Sequence, residues 1–469
     1  MAALHTIAEI LEATGGRAEN IAAHGVNSIS IDSREIASGA LFVAIKGENF
    51  DGHDFVTKAI EAGASAALVS EEKAGGMHGL PLIVVPKALD GLYGLAHFAR
   101  ERSGARIAAV TGSVGKTSTK EAIRAVLSAA GPTHASIKSF NNHWGVPLML
   151  ARMDQDAEYG VFEIGMNHAG EITPLSRLVR PHVAVITSVA AAHLEFFDSV
   201  EQIADAKAEI LAGLEPGGLA LLSHDHAYVR RLIRHADDAE VAVLTYGFDE
   251  ASDVRIEDYA WDGVAGHGRV VGDGLDLELA VPTPGRHTLS NGLAALLVAR
   301  EFGVDPAVAV AALAAHGAPE GRGAAYAFGP SENPLRLIDE SYNANPVSMR
   351  AALEVFGQMP KGAGRKVLVL GDMRELGSTS GALHAELALD VEAAGPDAVF
   401  LVGDHMRALA RELPNGLVAG WAQGVDEIAE AVIASLAPGD SVMLKGSNGV
   451  RLGALVARIR GAFGPENER

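Results

Sequence analysis

The run Arg106-Ile-Ala-Ala-Val-Thr-Gly-Ser-Val-Gly-Lys-Thr-Ser118 constrains the fold of this chain more than any other feature. An apolar β-type run enters a loop containing Gly112 and Gly115, and Lys116-Thr117 then open a helix expected over 116–130. Glycines let backbone N–H groups approach an anion, and a helix N-terminus adds partial positive charge. In such a loop Gly112, Ser113, Val114, Gly115, Lys116, Thr117 and Ser118 would cradle phosphates. Lys116 would neutralise the β- and γ-phosphates, and the Thr117 hydroxyl would ligate Mg²⁺. The general pattern asks for a glycine where Val110 stands, and here the glycine is displaced to 112. An ordinary Gly-rich strand–helix turn is the alternative. The order strand, loop, Lys-Thr, helix favours a nucleoside triphosphate site in an α/β sheet.

The surrounding pattern agrees. From residue 106 the sequence alternates strand and helix at the pace of βαβ units. Strands are expected at 107–110, 159–164, 183–187, 218–222 and 241–246, and helices at 116–130, 200–211 and 227–235. Residues 253–281 read as an antiparallel insertion, followed by Ala-rich helices at 287–302 and 305–315. The loop 316–323, with Gly317, Pro319, Gly321 and Gly323, marks a boundary. Beyond it a second open sheet is expected, with strands at 335–339, 366–370, 398–402 and 441–444. Its helices are expected at 347–358, 382–393, 406–412 and 426–435. The first hundred residues read as a small mixed domain with strands at 41–45, 66–69 and 82–85. The expected fold is therefore α/β in three domains: 1–103, a central P-loop-type ATPase with a mostly parallel sheet at 104–317, and a Rossmann-like open sheet at 318–469. A length of 469 residues suits three domains.

Composition removes several function classes. With no cysteine, the chain has no disulfides, thiolate metal sites or cysteine nucleophile. A net charge of −21 argues against wrapping a nucleic-acid backbone. The start carries Glu9 and Glu12 without a basic region, so no secretory signal is expected. Apolar stretches are too short for a membrane span, and a cytoplasmic protein is expected.

A triphosphate site needs acidic groups at strand ends. Glu163 closes an apolar strand, where an unpaired charge is costly, so it is either a metal ligand or half of a buried pair. Taken alone, His193 reads as a packing or surface histidine and Lys207 as a solvated lysine.

Together these segments resemble the Mur ligases, ATP-dependent amide-bond-forming enzymes of peptidoglycan precursor synthesis. The resemblance rests on Thr111-Gly-Ser-Val-Gly-Lys-Thr-Ser118, Glu163-Ile-Gly-Met-Asn167, His193-Leu-Glu195, Gly285-Arg-His-Thr-Leu-Ser-Asn291 and Asp339-Glu-Ser-Tyr-Asn-Ala-Asn-Pro346. Asn141-Asn142-His-Trp-Gly-Val-Pro147, Leu370-Gly-Asp-Met-Arg-Glu-Leu-Gly377 and Lys445-Gly-Ser447 are most similar to members that add D-alanyl-D-alanine to UDP-N-acetylmuramoyl-tripeptide.

The resemblance implies ATP and Mg²⁺ as cofactors, with Thr117, Glu163 and His193 holding metal. It implies that Lys116, Lys207, His193 and Arg322 serve the chemistry, Lys207 at a position where several relatives carry a carbamylated lysine. Asn291 would contact adenine, Arg322 the phosphates, and Asp339 with Glu340 the ribose. The family often has Asp where Glu340 stands, and Asn where Thr288 stands. Ser33, Arg34, Lys46, Asp51 and His53 would hold the UDP moiety, though without the family these segments read as ordinary turn loops. Asn141 and Asn142 would meet the muramoyl part, and Asn343, Asn345, Lys445 and Ser447 the incoming dipeptide. Small-molecule substrates, no membrane insertion and a monomer are expected. The rivals are a sibling that adds the third amino acid, a folylpolyglutamate synthetase-like ligase, which shares the central domain but not the Asp-Gly-His amino-terminal segment, and a non-ligase P-loop ATPase. The Asp-Asn-Pro-Arg segment associated with that sibling is absent from the last domain.

Overall fold

In a computed structural model of the chain, the described residues are 3–47, 49–137, 139–191, 194–262, 265–359 and 361–464. They form three α/β units. In the first, five strands lie in the order Arg17–Glu19, Leu82–Val85, Ala66–Ser70, Ala40–Val43, Ser28–Ser30, with only the first pair antiparallel.

The central sheet has nine strands. Arg106–Thr111, which leads into the phosphate loop, lies between Tyr159–Glu163 and Val183–Ile186, parallel to both. Such a strand is buried on both faces, and its side chains divide accordingly. Ala108 and Val110 join a core under the helices Lys116–Ala130 and Arg286–Glu301, while Ile107 and Ala109 face the opposite core. The expected insertion at 253–281 is present as Val254–Trp261, Gly266–Gly272 and Leu275–Val281. It extends the same sheet, entering parallel to Ala242–Gly247 and then turning antiparallel.

The last unit orders its strands Ala324–Phe328, Leu335–Glu340, Ser441–Lys445, Lys366–Gly371, Ala398–Val402, Val418–Ala422, all parallel except the first pair. The helix expected over 382–393 is two short helices, Ser380–Ala385 and Ala388–Ala394. The helix expected over 200–211 ends at Ala208 and tightens into a 3₁₀ turn, Glu209–Gly213.

Several helices escaped the sequence reading: Ile7–Thr14, Gly145–Ala151, Ile172–Val179, Leu452–Phe463 and Ala88–Arg102. Ala88–Arg102 contains Gly91 and Gly94, which weaken a helical pattern. Packing explains both residues: a Cβ on Gly94 would stand 2.2 Å from the Ala13 carbonyl oxygen, and one on Gly91 3.1 Å from Leu68. The helix links the first two units. Its Leu92 and Leu95 share one continuous core with Ile10 and Leu41 on one side and Ile107 and Phe162 on the other. The last unit has cores of its own. Arg100 ties the junction: Nε donates to the Val179 carbonyl at 2.8 Å, and Nη2 to the Arg180 carbonyl at 2.9 Å and to Glu215 at 3.0 Å. Replacing this buried side chain in Arg100→Ala strands two carbonyls. We expect a loss of about 2–3 kcal/mol in unfolding free energy, read by urea denaturation with an unchanged m-value.

Candidate nucleotide and acceptor site

The phosphate loop is braced by the loop that follows the neighbouring strand. Ser113 N–H donates to the Ser188 carbonyl at 2.9 Å, Val114 N–H to the Ser188 hydroxyl at 3.0 Å, and the Thr187 hydroxyl to the Val114 carbonyl at 2.5 Å. Gly112 has φ +152°, and a Cβ there would meet Thr187 Oγ1 at 2.0 Å, so only glycine allows this approach. Gly115 has φ +87° and caps the helix in the left-handed conformation. Lys116 Nζ turns back to the Gly112 carbonyl at 2.7 Å. Burial pushes its ammonium pKa down, and the Glu163 carboxylate pulls it part of the way back.

Glu163 is 1% exposed. Its Oε2 accepts the Thr117 hydroxyl and its Oε1 the Asn141 amide, both at 2.7 Å. Both partners are neutral, so the buried charge faces no cation within ion-pairing distance among the described residues. The carboxylate is thus oriented by two neutral donors, which leave its charge uncompensated among the described residues. Asn291 reaches the same loop, accepting the Thr119 hydroxyl at 3.0 Å.

These groups line a cleft of about 1090 Å³. Ser113, Val114, Gly115, Lys116, Thr117, Ser118, Asn141, Glu163 and Asn291 come from the central unit, and Arg322, Glu340, Asn343, Asn345 and Lys445 from the last. Lys445 is buried, and its Nζ meets Glu340 Oε2 at 3.1 Å and the Asn343 carbonyl at 3.2 Å. The cleft thus joins a phosphate loop to a second lobe across a Gly-rich hinge, the place where open sheets bind ligands.

Family profiles match along the chain: "Mur ligase family, catalytic domain" at 25–90, "Mur ligase middle domain" at 110–299, and "Mur ligase, glutamate ligase domain" at 328–448. The UDP-N-acetylmuramoyl-tripeptide–D-alanyl-D-alanine ligase of Rickettsia prowazekii is 33% identical over 431 residues, covering 92% of this chain and 94% of that one. The chain belongs to the Mur ligase family. A crystal structure of MurF from Acinetobacter baumannii superposes with a TM-score of 0.84 at 29% identity, covering 98% of this chain and all of that one. The MurF ligase of Thermotoga maritima in complex with ADP gives a TM-score of 0.76 at 25% identity, covering 94% and 98%.

Within this Mur ligase several expected contacts are arranged differently. Lys207 is not a solvated lysine. It is 2% exposed and has no carboxylate or hydrogen-bond partner among the described residues. Burial, and then the Lys116 ammonium, push its pKa well below the usual lysine range. His193 lies outside the described residues. Asp339 is absent from the cleft wall: its Oδ2 accepts Gly321 N–H at 3.0 Å, and its Oδ1 accepts Ser341 N–H at 3.0 Å and the Ser341 hydroxyl at 2.6 Å. It fastens the hinge, and Glu340 is the acid that faces the cleft. Asn345 caps the helix Pro346–Gln358, and Asn142 Oδ1 accepts Gly145 N–H at 2.8 Å. Ser447 spans Ala344 and Arg374, donating to the Ala344 carbonyl at 3.2 Å and accepting Arg374 N–H at 2.9 Å.

The residues expected to hold UDP lie outside this cleft. Arg34 is exposed and paired with Asp32 at 2.6 Å, with Ser33 between them in sequence. Lys46 is exposed, bridging backbone to backbone with Asp51. His53 is buried with both ring nitrogens engaged. Nε2 accepts Ser70 N–H at 3.0 Å, which leaves the proton on Nδ1, 2.6 Å from Asp51. Burial raises the Asp51 carboxyl pKa, but the bonds from His53 and Lys73 outweigh it and hold the group below the usual range. His53 and Asp51 therefore stiffen the loop rather than offer free groups to a ligand.

Sequence reading missed Thr119, Ser139, Tyr342 and the Thr187–Ser188 brace. It also missed the cleft wall at Ser223, His224, Asp225, His226, Phe248 and Arg286. Arg286 lies 3.9 Å over the Phe248 ring. The only available signal for this wall was its position just beyond two strand ends. His226 carries a testable consequence. Burial, and then His224, lower its pKa to about 4. The unfolded chain takes up that proton near pH 6.5 and the folded chain does not. Stability is therefore level above pH 7 and falls as pH drops from 6.5 towards 4, by about 3 kcal/mol from this group. Denaturation across that window should steepen with acid in wild type and flatten in His226→Gln. Identical slopes would refute the assignment.

Proposed function

We propose that this chain joins D-alanyl-D-alanine to UDP-N-acetylmuramoyl-tripeptide with ATP, giving the UDP-linked pentapeptide for peptidoglycan synthesis. The observation that carries the reading is a single cleft with a phosphate loop, Glu163 and Lys116 on one wall and Arg322 and Lys445 on the other. Relatives bearing that ligase's name span nearly the whole chain and support it. Residues 1–103 would present the UDP-peptide, 104–317 would bind ATP, and 318–469 would bring the dipeptide and close on the nucleotide. The working form is a cytoplasmic monomer that takes only small-molecule substrates. No helix of the described residues is long and apolar enough to cross a membrane.

A carboxylate is a poor electrophile, so amide formation needs a better leaving group. The substrate carboxylate attacks the γ-phosphorus of ATP, ADP departs, and an acyl phosphate forms. The neutral amine of the dipeptide then attacks the carbonyl carbon, and phosphate leaves from a tetrahedral intermediate. The loop N–H groups and Lys116 offset charge on the transferring phosphoryl oxygens, and Arg322 adds a second cation from the far lobe. Closure of the last lobe excludes water from the acyl phosphate.

Glu163 and Thr117 set two hard oxygen donors side by side, and the chain has no thiolate, a donor set that fits Mg²⁺. When bound, the ion neutralises phosphate charge. His193 is the proposed further ligand. Lys207, buried without a partner among the described residues and with a lowered pKa, is suited to carbamylation: a neutral amine adds CO₂ and loses a proton, giving an anion beside Lys116.

Phosphate release from ATP, followed with and without each partner, tests the reading. Release that needs both UDP-tripeptide and D-alanyl-D-alanine, with a product heavier by the dipeptide less water, is expected. Release indifferent to both favours an ATPase, and activity only with a UDP-dipeptide and one amino acid favours the sibling. Glu163→Gln should keep its melting temperature within a few degrees, because it removes a buried charge. Its kcat should fall at least about a hundredfold, through loss of the cation site.

A further inference from the structure

Tyr342 sits where the two walls of the cleft meet. Its backbone N–H donates to the Gly321 carbonyl at 3.0 Å. Gly321 has φ +75°, and a Cβ there would come within 2.8 Å of Tyr342 Cβ, so the hinge is folded directly against this residue. The ring face carries the Arg322 guanidinium, whose carbon lies 4.2 Å from the ring centroid. The phenol hydroxyl crosses to the central unit and hydrogen-bonds the Ser139 hydroxyl. Both residues line the cleft.

Ser139 belongs to the loop that holds Glu163. Asn141 N–H donates to the Ser139 carbonyl at 2.8 Å, and the Asn141 amide donates to Glu163 at 2.7 Å. At the start of the loop the Ser136 carbonyl accepts the fully buried Lys120 Nζ at 2.6 Å. Lys120 is one turn along the phosphate-loop helix from Lys116. Its described residues are therefore anchored to the phosphate side at Ser136 and Asn141, and Ser139 between them is bridged to the last lobe by the Tyr342 side chain.

An arginine has four rotatable bonds, and an aromatic face removes much of that freedom while leaving the N–H fork open to an anion. A hydroxyl pair across a domain boundary fixes how far one lobe sits from the other. We infer that Tyr342 is a positioning residue: its ring aims Arg322 into the cleft, and its hydroxyl registers the last lobe on the loop that orients Glu163. The cation from one lobe and the carboxylate from the other are then set by one closure. This rests on the proposed reading of Arg322 as a phosphate contact.

The test separates ring from hydroxyl. Tyr342→Phe keeps the platform and removes the bridge. Tyr342→Leu removes both, and Ser139→Ala removes the bridge from the other side. Tyr342→Leu should raise the ATP KM, and the dissociation constant of ATP bound alone, by about tenfold. Tyr342→Phe should leave both within about twofold and lower kcat about fivefold, because a neutral hydrogen bond is lost only where the lobes meet. Ser139→Ala should match Tyr342→Phe, and the double variant should be no worse than either single, since both remove one interaction.

An ATP affinity unchanged in Tyr342→Leu overturns the aiming role. A kcat unchanged in Tyr342→Phe, or losses that multiply in the double variant, overturn the bridge. If Tyr342→Leu does not fold, the Phe and Ser139 pair still decides the bridge. A folded Tyr342→Trp then decides the platform, which predicts an ATP affinity nearer to wild type than that of Arg322→Ala. The ATP titration needs no acceptor, so a wild type that makes no pentapeptide fails the ligase reading while leaving the aiming role to be decided by binding.

Discussion

The Glu163 carboxylate is the interaction on which the site depends. It ends the strand beside the phosphate-loop strand, takes the Thr117 hydroxyl on one oxygen and the Asn141 amide on the other, and is shut away from water. Three segments far apart in sequence are thereby fixed to one another: the first turn of the phosphate-loop helix, the end of Tyr159–Glu163, and the loop through Ser139. Neutral donors orient the charge without cancelling it. An uncompensated buried carboxylate is costly, and the proposed cation would offset that cost.

Much of this arrangement was legible in the sequence, because the pattern and the chemistry pointed the same way. The helix Lys116–Ala130 follows from its glycine cap and its apolar spacing, and the parallel strands follow from short apolar runs between helices. Glu163 was legible because a charge at the end of an apolar strand has few reasons to exist. Other elements were hidden by tertiary contact. The helix Ala88–Arg102 keeps two glycines only because another helix and a sheet residue press against them. The break near 386–387 falls inside continuous apolar spacing, so periodicity alone joins its two helices.

The site residues divide along a similar line. Asp339, Asn142, Asn345, His53 and Ser447 carry the chemistry of ligand binding, and the same oxygens and nitrogens also satisfy backbone groups. A sequence does not distinguish the two uses, whereas partner geometry does. Lys207 errs in the opposite direction: its helix position looks solvated, and only tertiary packing buries it. Tyr342 and Ser139 are legible only together, since their hydroxyls are 203 positions apart.

The continuous core beneath the helix Ala88–Arg102 has one more consequence. The first two units share that core, so packed side chains span the distance from the loops expected to hold UDP to the phosphate loop. On the proposed reading, that span acts as a ruler for the acceptor. A peptide stem one residue too short leaves its carboxylate short of the γ-phosphate, and one residue too long overshoots it. Selection among precursors of increasing length then needs no contact with the identity of the side chains along the stem.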